Sequence, residues 1–330
     1  MIQKRIGILR GGAGNKYTDS LNRGGDIILH IFENLKDRYK PVDILVDKDY
    51  IWHQNGLPIN PSDLMHQVDI VWNVSHHSFS NILESLGIPN IGSGSFLGSF
   101  LHNRDALKEH MKNIGVGMPR HIVLPFYQKD FDGEKSKYAV KEAKKIFEKF
   151  SSPWIVRSYT EDQTMGPVRG REGSQRPSAS NGMGIHLAKT FPELIDAIED
   201  LSAQAGGVNH KKSILVEEFI GGKVASLHSL PDFRGENIYT LPFGKYASGF
   251  SNQEKLKLVS TAKEIYSHLN AKHYLKIDFI LTSRGKVYLL GVESVPDLRE
   301  NSHFHEVCES ADLKMHNIVE HILEDSLRHN

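Results

Sequence analysis

Short apolar runs alternate with amphipathic stretches through the N-terminal part of the chain: RIGILR, DIILHIFENLK, PVDILV, VDIVWNV and NILESLGIPNIG. Short runs read as buried strands and the amphipathic stretch DIILHIFENLK reads as a helix. The pattern predicts a βα unit with a mainly parallel sheet. The first strand leads into GGAGNKYTDS, a glycine-rich loop before a helix. Backbone N–H groups there either face an anion or substrate or simply turn the chain tightly.

Beyond this unit the helix NRDALKEHMKNIG, from Arg104, ends at Gly115 with Pro119 after it, and a new unit is expected to begin there. It continues through strand HIVLP, helix YAVKEAKKIFEKF and strand PWIVRS. Periodicity is then lost over residues 159–182, YTEDQTMGPVRGREGSQRPSASNG, which reads as a mobile loop: either a lid or an insertion without function. Strand MGIHLAKT, helix FPELIDAIEDLSAQ and strands SILVEEFI, KVASLHSL and NIYTLPF follow, then GKYASGFS, helix NQEKLKLVSTAKEIYSHLN, a hairpin and a closing helix from about 311. Strands gathered around two helices predict an α+β unit of antiparallel character. The expected division is 1–102, 103–182 with the long loop 159–182, and 183–330.

The hairpin is KIDFILTSRGKVYLLGVESVPD, residues 276–297. A two-residue turn at Arg284 and Gly285 sets Asp278 opposite Gly291 and Lys276 opposite Glu293. Asp278 and Glu293 then share one face, and Ile277, Phe279, Leu290 and Val292 share the core face. Diagonal neighbours lie roughly 7–8 Å apart at Cα, a span that two carboxylates can close onto one divalent cation. The alternative is a cross-strand ion pair between Lys276 and Glu293, with Asp278 solvated.

Composition narrows the functions. The 330 residues suggest two or three packed domains, and 40 basic residues balance 40 acidic ones at a pI near 7.3. No nucleic-acid tract or polybasic membrane anchor is expected, so partners are small molecules. A single cysteine, Cys308, excludes an intramolecular disulfide framework and a cysteine zinc site and fits a reducing cytosol. Without a membrane-length apolar run, a soluble cytoplasmic protein is expected. Histidines at 76 and 77 and at 303 and 305 lack the spacing of a helical zinc motif and read as surface or pocket groups.

LGIPNIGSGS (86–95) with the helix after it, PWIVRS, ILVEEFIGG, GKY, and the hairpin followed by Pro296 occur in one order. In that order the chain resembles the D-alanine:D-alanine ligases of the ATP-grasp superfamily over nearly its whole length. The resemblance implies an ATP-grasp fold, α/β and α+β, with an N-terminal Rossmann-like (pre-ATP-grasp) domain. It also implies an ATP-dependent ligase that phosphorylates an amino-acid carboxylate and captures the acyl phosphate with a second amine, in peptidoglycan precursor synthesis.

Carried onto this sequence, the resemblance puts Glu217 and Glu218 at adenine and Lys245 and Tyr246 near phosphates and substrate. Asp278 falls at a metal, Mg²⁺ or Mn²⁺, and Ser302 at the carboxylate of the second substrate. The chain departs from the family at several of these positions. The phosphate-binding lysines are Arg104 and Arg157, which keep the charge but change the geometry. Gly291-Val292-Glu293 stands where the family has Glu-x-Asn, so one carboxylate is lost and Glu293 is gained.

Lys16-Tyr17-Thr18-Asp19-Ser20 replaces a Glu-His-x-x-Ser, leaving Ser20 and a cation where the family attracts an ammonium. Lys276 replaces the arginine that steadies the oxyanion. Val224 replaces a ribose-contact glutamate. The serine-rich phosphate loop becomes Ser180-Asn181-Gly182-Met183-Gly184, whose backbone N–H groups, with Asn181 and Gly182 at the turn, are expected to cover phosphates. Phosphates thus fall to Arg104, Arg157 and Lys245, metal to Asp278 and Glu293, and substrates or oxyanion to Ser20, Tyr246, Lys276 and Ser302. Open alternatives are another amino acid or peptide as substrate, or a non-catalytic nucleotide-binding homologue. Homodimers are common in the family.

Overall fold

A computed structural model describes residues 3–12, 16–101, 103–125, 127–128, 132–159, 185–204 and 213–329, with backbone only at 204, 245 and 246. The first unit contains strands β1 (Lys4–Gly11), β2 (Tyr39–Val46), β3 (Trp52–Gln54), β4 (Leu57–Ile59), β5 (Ile70–Asn73) and β6 (Asn90–Ile91). Their spatial order is β4-β3-β2-β1-β5-β6. Pairing is parallel from β2 through β1 and β5 to β6, and antiparallel only in the β2-β3-β4 edge. Ile6, Ile8 and Leu9 of β1 are fully buried, because helices and the rest of the protein cover both faces. Helix α1 (Tyr17–Asn34) turns Ile27 and Ile31 inward, and α2 (Ser78–Ser85) turns Phe79 and Leu83 inward.

Helices α3 (Gly94–Leu101) and α4 (Arg104–Lys112) lead to the second unit. It holds β7 (His121–Leu124), α5 (Lys135–Lys149), β8 (Trp154–Tyr159), β9 (Ile185–Ala188), α6 (Phe191–Gln204) and β10 (Ser213–Glu218). The sheet is antiparallel in the order β7-β10-β8-β9, and Ala143, Ile146, Leu194 and Ile198 of its helices pack on Trp154 and Val216. The expected division after 182 falls inside this sheet, since β9 and β10 complete it. Residues 160–184, most of the expected loop, lie outside the described residues.

The third unit holds β11 (Lys223–Phe233), β12 (Glu236–Thr240), α7 (Asn252–His268), β13 (Leu275–Leu281) and β14 (Val287–Glu293), with sheet order β12-β11-β13-β14. Leu107 and Met111 of α4 join Leu258, Ala262 and Ile265 of α7 in its core. A further helix that the sequence reading did not separate, α8 (His303–Ser310), precedes the closing helix expected from about 311, which is α9 (Met315–Arg328). Ile318, Val319, Ile322 and Leu323 of α9 pack with Ile27 and Ile31 of α1, binding the last unit to the first. Burial of each such side chain stabilises by about 1.5–3 kcal/mol.

The hairpin register agrees with expectation at the site because two irregularities cancel. Lys276 faces Glu293 and Asp278 faces Gly291. The turn, however, takes three residues, Ser283 to Gly285, closed by the Thr282 N–H on Lys286 O at 2.9 Å, with Gly285 at φ +73°. Leu281 therefore faces Val287 and Phe279 faces Leu289, one residue out of the expected register. A bulge at Leu290 restores it. As a correction, fully buried Leu289 takes the core place expected for Leu290.

Candidate active site

Strand register builds one polar face in the third sheet. Ser226 of β11 faces Asp278 and His228 faces Lys276, while β14 adds Gly291 and Glu293 on the other side. Alternation puts these side chains and that of Tyr274 on the face opposite Ile277 and Phe279.

Asp278 is fully buried. Its Oδ1 accepts the Ser226 hydroxyl at 2.5 Å, and its Oδ2, with no aligned hydrogen bond, lies 3.0 Å from the Lys276 ammonium. The same ammonium is 3.4 Å from Glu293 Oε1. Burial pushes the Asp278 carboxyl up to about 6, although Lys276 opposes it. Burial also opposes charge on Glu293, yet Lys276, Arg23 and Lys16 together hold its carboxyl below the usual value. For Lys276 burial is again outweighed, by Glu293 and Asp278, and its ammonium is held above the ordinary lysine value. The expected acid pair is thus brought together, and Asp278 is not solvated: an ammonium stands between the two acids.

The first sheet supplies the facing wall. Gly11 and Gly12 turn the chain out of β1 at φ +91° and +93°. A Cβ on Gly11 would strike the Val46 carbonyl, so glycine is required there. The Ser20 hydroxyl, almost fully buried, accepts the Gly11 N–H and donates to Val74 O, both at 2.9 Å. Its proton is committed to holding the ends of β1 and β5 together, a positioning role rather than the substrate contact expected. Asp19 is likewise committed, 2.9 Å from Arg23 of the next turn. Arg23, which sequence reasoning missed, also reaches Glu293 Oε2 at 3.5 Å and donates to Val295 O at 3.0 Å. Its signal was the i,i+4 spacing from Asp19. A cavity of about 90 Å³ opens between these walls, lined among others by Lys16, Ser20, Arg23, His77, Glu293 and Val295.

The expected nucleotide residues form a second cluster. Arg104, its side chain 2% exposed, pairs with Glu217 Oε1 and donates to Leu290 O at 3.3 Å, the carbonyl that the bulge frees. Arg157 Nη2 lies 2.9 Å from Glu217 Oε2. Glu217 is therefore clamped between the two arginines rather than open to an adenine. Glu218 instead accepts the Arg120 backbone N–H at 2.9 Å and pairs with its guanidinium at 2.6 Å. Val224 is partly exposed on β11. Lys245 and Tyr246 fall in the 3₁₀ turn Gly244–Gly249, with side chains outside the described residues. Asn181 and Gly182 lie outside them altogether.

Ser302 caps α8, accepting the His305 N–H at 3.0 Å and donating to Asp297 O at 2.7 Å. His228, missed in the sequence, is buried and bonded to Tyr274 Oη at 2.6 Å and to His303 at 2.9 Å. No helix among the described residues is long and apolar enough to cross a membrane.

The cavity lies at the carboxyl ends of the parallel strands β1 and β5, where open α/β sheets place ligands, and Glu293 of the third sheet lines its other side. Residues 243–324 match the family described as D-ala D-ala ligase C-terminus. Over 97% of this chain and 94% of its own length, the D-alanine–D-alanine ligase of Geotalea uraniireducens is 23% identical. That of Aquifex aeolicus is 26% identical over 67% of this chain and 68% of its own. The chain is similar to D-alanine–D-alanine ligases over nearly its whole length.

Solved structures agree on the fold. D-alanyl-alanine synthetase A from Vibrio cholerae superposes with a TM-score of 0.72 at 16% identity, covering all of both chains. The D-alanine–D-alanine ligase of Bacillus anthracis complexed with ATP gives 0.65 at 17% identity, over 98% of this chain and 97% of its own. The fold is ATP-grasp, and the sheet of the first unit is parallel from β2 through β1 and β5 to β6, as expected.

Proposed function

We propose that this chain is an ATP-dependent ligase that joins D-alanine to a second D-alanine, in the cytoplasm, for peptidoglycan precursor synthesis. The observation that carries the reading is the cavity bounded by Ser20, Arg23 and Glu293, with the Lys276–Asp278 face and the Arg104–Glu217–Arg157 cluster joined to it through β14.

A carboxylate is a poor electrophile until one of its oxygens becomes a leaving group. Transfer of the ATP γ-phosphoryl breaks its bond to the β-phosphate oxygen and forms a bond to that carboxylate oxygen. The amine of the second amino acid then attacks the acyl carbon, a C–N bond forms, inorganic phosphate leaves and the amine sheds a proton. Two guanidinium groups against one carboxylate leave the Arg104–Glu217–Arg157 cluster with a net positive charge, suited to phosphate oxygens. The Lys276 ammonium suits the negative charge that grows on the acyl oxygen. Ser20 and Gly11 hold the wall against which the first substrate rests.

Asp278 and Glu293 fit a divalent cation: both are oxygen donors, and the oxygens Asp278 Oδ2 and Glu293 Oε1 already face one cation, the Lys276 ammonium. Bound there with ATP, Mg²⁺ or Mn²⁺ would neutralise phosphate charge. The test is phosphate release with Mg-ATP and D-alanine, with mass spectrometry of the product. A D-alanyl-D-alanine mass, lost in a folded Asp278→Asn variant, supports the reading. Phosphate release undiminished in that variant refutes the role of Asp278.

Lys16 at the cavity favours a second reading, a first substrate that carries an additional carboxylate. Activity with an acidic amino acid and none with D-alanine selects it. Nucleotide binding without phosphate release across a panel of amino acids would instead mark a non-catalytic homologue.

A further inference from the structure

Each carboxylate of the acid pair commits one oxygen to a neighbour of its own. Asp278 Oδ1 takes the Ser226 hydroxyl, and Glu293 Oε2 faces the Arg23 guanidinium. The remaining oxygens, Asp278 Oδ2 and Glu293 Oε1, converge on the Lys276 ammonium at 3.0 and 3.4 Å. They are also the two oxygens that would remain for a metal ion held by both carboxylates. A divalent cation and an ammonium would not share that place, because both would draw on the same oxygens and like charges so close repel strongly.

A lysine suits exchange better than an arginine. Its charge is a compact point on a flexible stem, while a guanidinium holds two carboxylates through a rigid fork. The Lys276 side chain is 18% exposed, so it is not sealed into the core as Asp278 is. We infer that Lys276 is the resident cation of the Asp278–Glu293 pair, and that a divalent metal enters the pair by displacing it. The exchange rests on the ligase reading only for its use: with a metal bound alongside ATP, the Lys276 ammonium would be free to serve the acyl oxygen. With the pair already neutralised, metal alone gains little, and metal loading is tied to nucleotide.

Mn²⁺ alone, added to the nucleotide-free full-length protein, tests the exchange, with free Mn²⁺ read by electron paramagnetic resonance. Asp232, Asp325 and His329 offer ligand atoms within 4.8 Å of one another elsewhere, so all proteins carry Asp325→Asn to silence that group. Lys276→Met is expected to bind Mn²⁺ about tenfold tighter than its Lys276 parent, from the charge it no longer competes with. Adding Asp278→Asn should erase the gain. Equal or weaker binding by Lys276→Met overturns the proposal.

A measurement on the parent chain stands if that variant does not fold. Acetylation of Lys276 by a soluble active ester, followed by mass spectrometry, is expected to accelerate as Mn²⁺ saturates, and unchanged or slower acetylation overturns the proposal. Neither readout needs turnover. A tenfold Mn²⁺ gain with no ligation would sink the ligase reading alone, and ligation with a flat Mn²⁺ comparison would sink the exchange alone.

Discussion

Glu217→Gln is the most searching substitution, because Glu217 is the only negative charge between Arg104 and Arg157 among the described ion pairs. Side-chain exposures of 2% for Arg104, 9% for Glu217 and 11% for Arg157 put the group largely out of water. Burial pushes the Arg104 guanidinium below its ordinary value and Glu217 opposes that. Removing one member of a buried ion group costs about 3–5 kcal/mol, since the charges left behind are uncompensated. Glutamine keeps a hydrogen-bond acceptor, so the low end, about 3 kcal/mol, is expected.

That loss should be local to the second sheet, where Glu217 of β10 pairs with Ile155 of β8 and His121 of β7. Hydrogen exchange read by mass spectrometry therefore carries its own control. Peptides over 154–159 and 213–218 should exchange about a hundredfold faster, while those over 4–11 and 39–46 stay unchanged. Millimolar pyrophosphate should restore protection more in the variant than in the parent, because it supplies the charge that Glu217 gave. Exchange within about threefold of the parent across β8 and β10 would refute the buried-ion argument. Acceleration that pyrophosphate leaves untouched would refute the assignment of the two arginines to phosphates.

The remaining predictions follow from single contacts. Ser20→Ala should cost about 2 kcal/mol in urea unfolding, for two buried hydrogen bonds; unchanged stability with a raised KM would return the hydroxyl to a substrate role. Ser302→Ala should cost about 1 kcal/mol through the lost cap of α8, with exchange rising first at 303–310. With the Asp278 carboxyl at about 6, kcat/KM should fall as pH drops through that value and Asp278 loses its charge; a flat profile to pH about 5 would refute it. The stability sign is opposite. A folded-state value raised above 3.8 means that the fold holds this proton more tightly than the unfolded chain, so ionising Asp278 costs stability as pH rises through that window. Asp278→Asn should remove that slope, and an unchanged slope in urea midpoints against pH would contradict the burial argument.

The order of strands and helices was legible because periodicity is local: each apolar run of the first unit became a strand of the parallel sheet or a buried helix face. Even the Asp278–Glu293 alignment could be read from a turn motif, though the expected two-residue turn is a three-residue one offset by a bulge. What periodicity could not reveal was where the second sheet ends. β9 and β10 return to β7 and β8 across an aperiodic stretch, and no local signal marks that pairing.

The chemistry of the site was legible in kind and not in partnership. Residue identity is local information, whereas a partner depends on the whole fold. Arg104 and Glu217 are 113 positions apart, so their pairing had no signature, and Glu217 was expected to face adenine. Lys276 and Glu293 are only 17 apart in one hairpin, and the ion-pair alternative was visible from the start. Arg23 and Asp19 had a helical signature, yet Arg23 matters for its reach to Glu293, which the helix alone does not disclose. The same non-locality ties the departures from the family together. Two arginines need a common anion to lie side by side, which Glu217 provides, and a carboxylate gained at Glu293 needs a cation, which Lys276 and Arg23 provide. Substitutions that look like separate losses along the sequence fall, in three dimensions, into two adjoining clusters in which each altered charge faces a group of opposite sign.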